Sequence, residues 1–158
     1  MERHVSVRGI AVLDGKLLCV RLKPYPGAAH ADYDFWCTPG GGVDEGEGLL
    51  DAFKREMREE LGVEPKIGRL LYVQQFQHKT KDILEFFFLI ENPEDYRNVD
   101  LNKTTHGLQE IEAIDFVDPK IVTILPKFLT TEDLDWHIAS NAPTKLFATV
   151  TPKMAEQA

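Results

Sequence analysis

Residues 41–63 constrain this chain more tightly than any other stretch, because they join a run of glycines to a helix with its carboxylates on one side. Leu49, Leu50, Ala52, Phe53, Met57 and Leu61 recur at helical spacing, which predicts a helix over residues 48–61 with one apolar stripe. Gly62 follows at once, where a helix end favours a left-handed residue. Glu56, Glu59 and Glu60 stand at i, i+3 and i+4, and about 100° per residue puts all three on one face. Glu56–Glu59 and Glu56–Glu60 are like-charged neighbours, each costing an isolated helix roughly 0.2–0.5 kcal/mol, and Lys54–Arg58 is another such pair. Asp51–Arg55 is a favourable pair, and Arg55–Glu59 is opposite in sign but in the weaker order. A helix shaped for stability alone would interleave the signs more fully. A hard divalent cation is what such a cluster suits, since Mg²⁺ takes oxygen ligands.

Ahead of the helix, Pro39-Gly40-Gly41-Gly42 is expected to interrupt all regular structure. Glycines let the backbone come close to a ligand, with carbonyls free to coordinate a cation and amides free to receive phosphate oxygens. Further upstream, residues 5–13 and 16–22 are β-rich runs separated by Asp14-Gly15, a hairpin turn signal. Residues 23–34 form a loop long enough to be functional, and residues 35–38 a brief strand. Downstream, residues 67–76 and 82–90 are expected strands joined by a polar turn at residues 78–81. Residues 92–107 are an expected surface loop and Ile111–Val117 a short strand. Residues 121–129 are expected to begin a terminal helix, 132–140 to be helical, and 143–150 to add an edge strand. Strands, one helix, more strands, then helix is an α+β order rather than the alternation of a doubly wound fold. No repeat or linker divides the chain, so residues 1–150 are expected to form a single domain and residues 151–158 a flexible C-terminal tail.

With a net charge of −8, the chain should be repelled by a nucleic-acid backbone, which argues against a duplex partner. A small phosphate substrate remains compatible, because a bound divalent cation reverses the local field. Cys19 and Cys37 are two cysteines in apolar, strand-like settings and are expected to be buried free thiols of a reducing compartment. The N-terminus lacks a signal-peptide core, and the run at residues 83–90 is too short to span a bilayer and is broken by Glu85. A cytoplasmic protein with no membrane partner is the expectation.

Gly41, five residues, Glu47, seven residues, then Arg55-Glu56-Met57-Arg58-Glu59-Glu60-Leu61-Gly62-Val63 resembles the Nudix box with every fixed position filled. Seven fixed residue types at about 7% frequency each would recur by chance on the order of once per million such chains. The resemblance implies the family's α/β/α sandwich, a mixed β-sheet between helices. It implies hydrolysis of a diphosphate linkage in a nucleoside di- or triphosphate or another nucleoside diphosphate-linked compound. It also implies Mg²⁺, with Mn²⁺ as a substitute, held by Glu56, Glu59 and Glu60 and by the Gly41 carbonyl. By the same resemblance, Arg55 orients Glu47 or Glu56, and water attacks phosphorus with its pKa lowered by the cation. The proton acceptor is left open among Glu56, Glu59 and Glu60 in the box and Glu85, Glu110 and Glu112 outside it.

Around the box, Arg21 is a candidate for substrate phosphate, with Gly40 and Gly41 as backbone donors. Tyr25, Tyr33 and Phe35 are candidates for stacking on a base, whereas Trp36 is assigned to the core. His30, His78 and His106 have no acid at suggestive spacing and are expected to face solvent. Trp136 is assigned to packing or to an oligomer contact, which leaves room for a homodimer. The proline and tyrosine that mark ADP-ribose and dinucleoside polyphosphate subgroups are absent some sixteen residues past Val63, where His78-Lys79-Thr80 stands. The coenzyme A signature is absent too. The remaining alternatives are a non-catalytic nucleotide-sensing module and a hydrolase or isomerase acting on a non-nucleotide diphosphate.

Overall fold

In the computed structural model the described residues are 1–150, and of these the side chains of residues 30 and 31 are not described. The expected C-terminal tail, residues 151–158, lies outside the described residues. Strand β1 (Glu2–Ile10) is followed after Ala11 by β2 (Val12–Leu13) and β3 (Lys16–Leu22). Asp14 and Gly15, both at positive φ, close the β2–β3 hairpin as the turn signal predicts. Next come β4 (Trp36–Cys37), β5 (Gly40–Gly42), α1 (Leu49–Leu61), β6 (Ile67–His78) and β7 (Lys81–Ile90). The chain continues through α2 (Gly107–Glu110), β8 (Ile111–Val117), β9 (Ile124–Leu125), α3 (Phe128–Thr131), α4 (Leu134–Ala139) and β10 (Lys145–Thr149).

The strands form two five-stranded groups rather than one sheet. The first runs β10-β6-β7-β1-β5 and is mixed, since β1–β7 and β10–β6 are parallel while β6–β7 and β1–β5 are antiparallel. The second runs β2-β3-β4-β9 with β8 paired to β3. Alternation along β3 shows how the layers are filled: Leu18 and Val20 join the core beneath α1, and Leu17 and Cys19 join the core beneath α3 and α4. Helices therefore cover both sides, as the expected α/β/α sandwich requires. Phe53 and Met57 bring α1 to the first core, while Phe128, Leu129 and Leu134 bring α3 and α4 to the second. Cys19 and Cys37 are buried and unpaired, as expected, and burial pushes both thiols up. Among the described residues no helix is long and apolar enough to cross a membrane.

Four expectations are corrected. The glycine run does not break regular structure: Gly40, Gly41 and Gly42 pair with Arg8, Val7 and Ser6 of β1. A Cβ on Gly40 would lie 2.0 Å from the Val7 carbonyl oxygen, and its φ is +142°, so only glycine lets the two strands approach. Within residues 121–129 the helix begins only at Phe128, and residues 121–127 are not helical. Pro126 disfavours helical geometry just before it, and Ile124 and Leu125 pair instead with Trp36 and Cys37. Leu50 is not on the buried stripe but 47% exposed, because it sits one step, about 100°, from Leu49. The expected surface loop at residues 92–107 holds two short helical turns, Pro93–Tyr96 and Leu101–Lys103, and Tyr96 is buried against the first core.

Candidate active site

The helix places its carboxylates where the glycine strand passes. Glu60 follows Phe53 and Met57 on the core-facing side of α1, so a carboxyl group sits at the margin of an apolar core and is 6% exposed. Glu56 and Glu59 stand further toward solvent. A Cβ on Gly41 would lie 2.4 Å from Glu56 Cδ and Oε2, so the backbone there touches the carboxylate directly. One open cavity of about 670 Å³ is lined by Gly40, Gly41, Gly42, Glu56, Glu59 and Glu60, together with Arg8, Lys23 and Glu110. The expected site residues of the box are thus brought together.

Arg55 is the organiser of the exposed side. Its Nε donates to Glu47 Oε2 at 2.7 Å and its Nη2 to Glu47 Oε1 at 2.9 Å. The same guanidinium donates to the Gly42 carbonyl at 3.0 Å, to Glu56 Oε1 at 3.0 Å and to Glu59 Oε2 at 3.4 Å. Both partners proposed for Arg55, Glu47 and Glu56, are engaged. The Arg55 hydrogen bonds, helped by the Asp44 amide, hold the Glu47 carboxyl down at about 2, and the Arg55 guanidinium is raised in return.

On the inner side the electrostatics reverse. Burial, then a hydrogen bond shared with Glu110, then the charges of Glu56 and Glu110 push Glu60 up to about 9, against the pull of Arg8. Burial also raises Glu56, with the charges of Glu59 and Glu110 adding and Arg55 opposing. Carboxylates that repel one another at a buried margin are a donor set suited to a hard cation. As the side chains stand, no group of three or more His, Cys, Asp or Glu among the described residues is set to hold a metal ion. Arg55 already occupies oxygens of Glu56 and Glu59, and Glu60 is turned to Glu110. The donor chemistry fits a divalent ion, and the rotamers would have to turn to meet it.

Several outer candidates fall elsewhere. Arg21 does not line the cavity: its guanidinium donates to Asp34 Oδ1 at 2.7 Å and lies 5.6 Å from the Trp36 ring centre. The next two residues, Leu22 and Lys23, line it instead, past an irregularity in the β3–β8 pairing between Arg21 and Leu22. His106 is not a bystander either. Its Nδ1 is 3.4 Å from Glu59 Oε2, and its amide donates to the Glu59 carbonyl at 2.8 Å. His78 is exposed as expected, and the side chain of His30 is outside the described set. Of the outer acids, Glu110 is in the cavity and Glu112 is exposed. Glu85 is not a surface acid but 7% exposed and paired with Arg8 at 3.1 Å. Tyr25 and Tyr33, edge to face at 5.9 Å, both line the cavity, whereas Phe35 does not. Trp36 is half-buried and packs on the second core, and Trp136 is 61% exposed.

Sequence reasoning missed Arg8 and Lys23. An arginine inside the apolar alternation of residues 5–10 was the available signal for Arg8. It donates to Glu85 Oε2 at 3.1 Å and to the Thr38 carbonyl at 3.1 Å. Burial works against its charge, and Glu85, with Cys37 and Glu60, more than offsets this, so the guanidinium is held above its ordinary value. Lys23 had no such signal; its Nζ donates to the Leu108 carbonyl, and its amide to that of Glu110 at 2.8 Å.

Residues 2–136 match the family model described as NUDIX domain. An RNA pyrophosphohydrolase of Haemophilus influenzae (strain PittEE) is 29% identical over 105 residues, covering 57% of this chain and 54% of that protein. An 8-oxo-dGTP diphosphatase of Haemophilus influenzae is 44% identical over 52 residues, 33% of this chain and 38% of that protein. The chain spans about half the length, or less, of these curated relatives. A MutT protein from Methanosarcina mazei Go1 superposes with a TM-score of 0.66 at 20% identity, covering 88% of this chain and 97% of that one. That likeness concerns the fold.

Proposed function

The chain belongs to the Nudix family, and on that premise we propose that it is a divalent-metal-dependent hydrolase cleaving the diphosphate linkage of a nucleotide. The observation that supports this reading most is the convergence of Glu56, Glu59, Glu60 and Glu110 on the glycine strand, in one cavity with Lys23 and Arg8. In this proposal Glu56, Glu59, Glu60 and the Gly41 carbonyl hold Mg²⁺, with Mn²⁺ able to take its place. When bound, the ion supplies charge neutralisation on the diphosphate and acidification of the attacking water. Arg55 keeps Glu56 oriented through the bond it makes while also gripping Glu47. Lys23 and Arg8 offer positive charge to the phosphates from the cavity wall. Glu110, which lines the same cavity and is not among the ligands of the ion, is the proposed acceptor of the proton from water.

The relatives act, by their names, on RNA and on an oxidised nucleoside triphosphate. A nucleoside 5′-polyphosphate is the substrate class proposed here. The net charge of −8 disfavours long RNA over a free nucleotide. Phosphate and pyrophosphate release should be followed on nucleoside di- and triphosphates, an oxidised triphosphate, ADP-ribose and a short triphosphate-ended RNA, with Mg²⁺ or with EDTA. Turnover should require the metal, and Glu59→Gln or Glu60→Gln should cut it by roughly 10²–10⁴. Absence of turnover on every diphosphate, or turnover that survives both substitutions, would sink the hydrolase reading.

A further inference from the structure

Glu110 stands apart from the box. It ends α2, far along the chain from α1, yet its carboxyl meets that of Glu60 at the cavity. What brings it there is the end of α1. A helix leaves its last four carbonyls without partners inside the helix. The Gly62 amide serves those of Met57 and Arg58. The next, of Glu59, accepts from the His106 amide at 2.8 Å and from Thr105 Oγ1 at 3.3 Å. The one after, of Glu60, lies so near Gly107 that a Cβ there would stand 2.5 Å from its oxygen. Residues 105–107 therefore rest on the backbone of the two glutamates whose side chains enter the cavity.

The turn is also held from within. Thr104 Oγ1 accepts from the Gly107 amide, the first of α2, at 2.8 Å and donates to the Leu101 carbonyl at 2.8 Å. A Cβ on Gly107 would collide with the same hydroxyl oxygen. A further tie comes from the opposite wall, where the Lys23 amide donates to the Glu110 carbonyl at 2.8 Å and Lys23 Nζ to that of Leu108. A reacting carboxyl carried on so short a helix needs such anchoring, because a misplacement of about 1 Å costs on the order of 10²-fold in rate. We propose that Thr104 and Gly107 form a clasp that fixes Glu110 against the end of α1, and that both are positioning residues for the attack of water. Neither lines the cavity, so each acts through Glu110. The inference rests on the hydrolase reading and on Glu110 as proton acceptor.

Thr104→Val nearly keeps the shape of the side chain and removes both of its hydrogen bonds. Steady-state kinetics with Mg²⁺ on the fastest substrate of the diphosphate panel should show kcat down by roughly tenfold or more and KM within about twofold, as for a group that acts only in the transition state. Thr104→Ser, which restores the hydroxyl, should recover most of the lost rate. Gly107→Ala should show the same split, since its methyl must push α2 off the Glu60 carbonyl. In a Glu110→Gln background Thr104→Val should cost nothing further, because no acceptor is left to position. A merely structural role gives a lowered Tm with kcat unchanged, or a loss that adds in full to that of Glu110→Gln. Either result, or full activity in Glu110→Gln alone, overturns the proposal. A wild-type protein without turnover on any diphosphate overturns this inference together with the hydrolase reading. Turnover in the wild type that Thr104→Val leaves intact overturns this inference alone.

Discussion

Arg55 and Glu47 are joined by a two-pronged ion pair, Nε to Oε2 at 2.7 Å and Nη2 to Oε1 at 2.9 Å, that ties the start of the box to the middle of its helix. The remaining nitrogen, Nη1, serves both Glu56 and Glu59. A lysine keeps the charge but not the fork, so Arg55→Lys cannot grip Glu47 and orient Glu56 together. Its kcat/KM on the best nucleotide should fall by roughly 10–100-fold. Its Tm should move little, because partly exposed ion pairs contribute about 0–1 kcal/mol. Equal kcat/KM for the two proteins would remove Arg55 from the positioning role.

Glu60 gives a pH dependence with a definite sign. Its carboxyl is raised from 4.5 to about 9 in the folded chain. Below about pH 4.5 both folded and unfolded chains hold this proton and there is no penalty. As pH rises toward 9 the unfolded chain has released it while the folded chain retains it, so folding stability from this group falls across that window. Urea unfolding in EDTA should therefore show Glu60→Gln gaining on the wild type between about pH 5 and pH 9. A difference that stays flat across this range would contradict the assignment.

Gly41→Ala should separate folding from catalysis. The new methyl would meet Glu56 at 2.4 Å, and what it meets is the far end of a flexible side chain. The carboxylate can swing away, so Tm should drop only slightly. Displacing a reacting or ion-holding group by about 1 Å costs on the order of 10²-fold in rate, and that loss should appear in kcat. Full activity in this variant would show that Glu56 need not sit against the strand.

Gly62→Ala tests the helix end instead. Gly62 lies at φ +74°, and its amide donates to the Met57 and Arg58 carbonyls at 3.1 and 3.0 Å. A Cβ there pays the left-handed penalty of roughly 1–2 kcal/mol and stands 3.3 Å from Thr104 Cγ2. Chemical denaturation should report a loss of that size, and a stability equal to wild type would mean the cap is dispensable.

The carboxylate cluster was legible because its information is local. Glu56, Glu59 and Glu60 share a face by helix periodicity alone, and Gly62 ends the helix by a backbone preference that needs no distant partner. The α1 stripe was legible for the same reason, with Leu50 misplaced only because it sits one step off the stripe. Gly40–Gly42 was misread because nothing local distinguishes a glycine loop from a glycine strand; pairing with β1 decides it. Helix within residues 121–129 is confined to its end, from Phe128, because the partner that pulls Ile124 and Leu125 into a strand lies at Trp36 and Cys37 and is not visible in local apolar spacing. His106 looked unpaired since Glu59 is 47 residues away in the chain and adjacent only in space.

What the sequence determined by itself about residues 41–63 is a helix with three stacked glutamates, an arginine within reach of them and a left-handed stop, because each depends on contacts within a few residues. The tertiary structure alone decided how those groups are charged. Glu47 is held down at about 2 and Glu60 pushed up to about 9 although both are glutamates of one motif. The difference is solvent and neighbours: Glu47 meets a guanidinium at the rim, while Glu60 is folded against a core and a second carboxyl, Glu110, that α2 brings from a distant part of the chain.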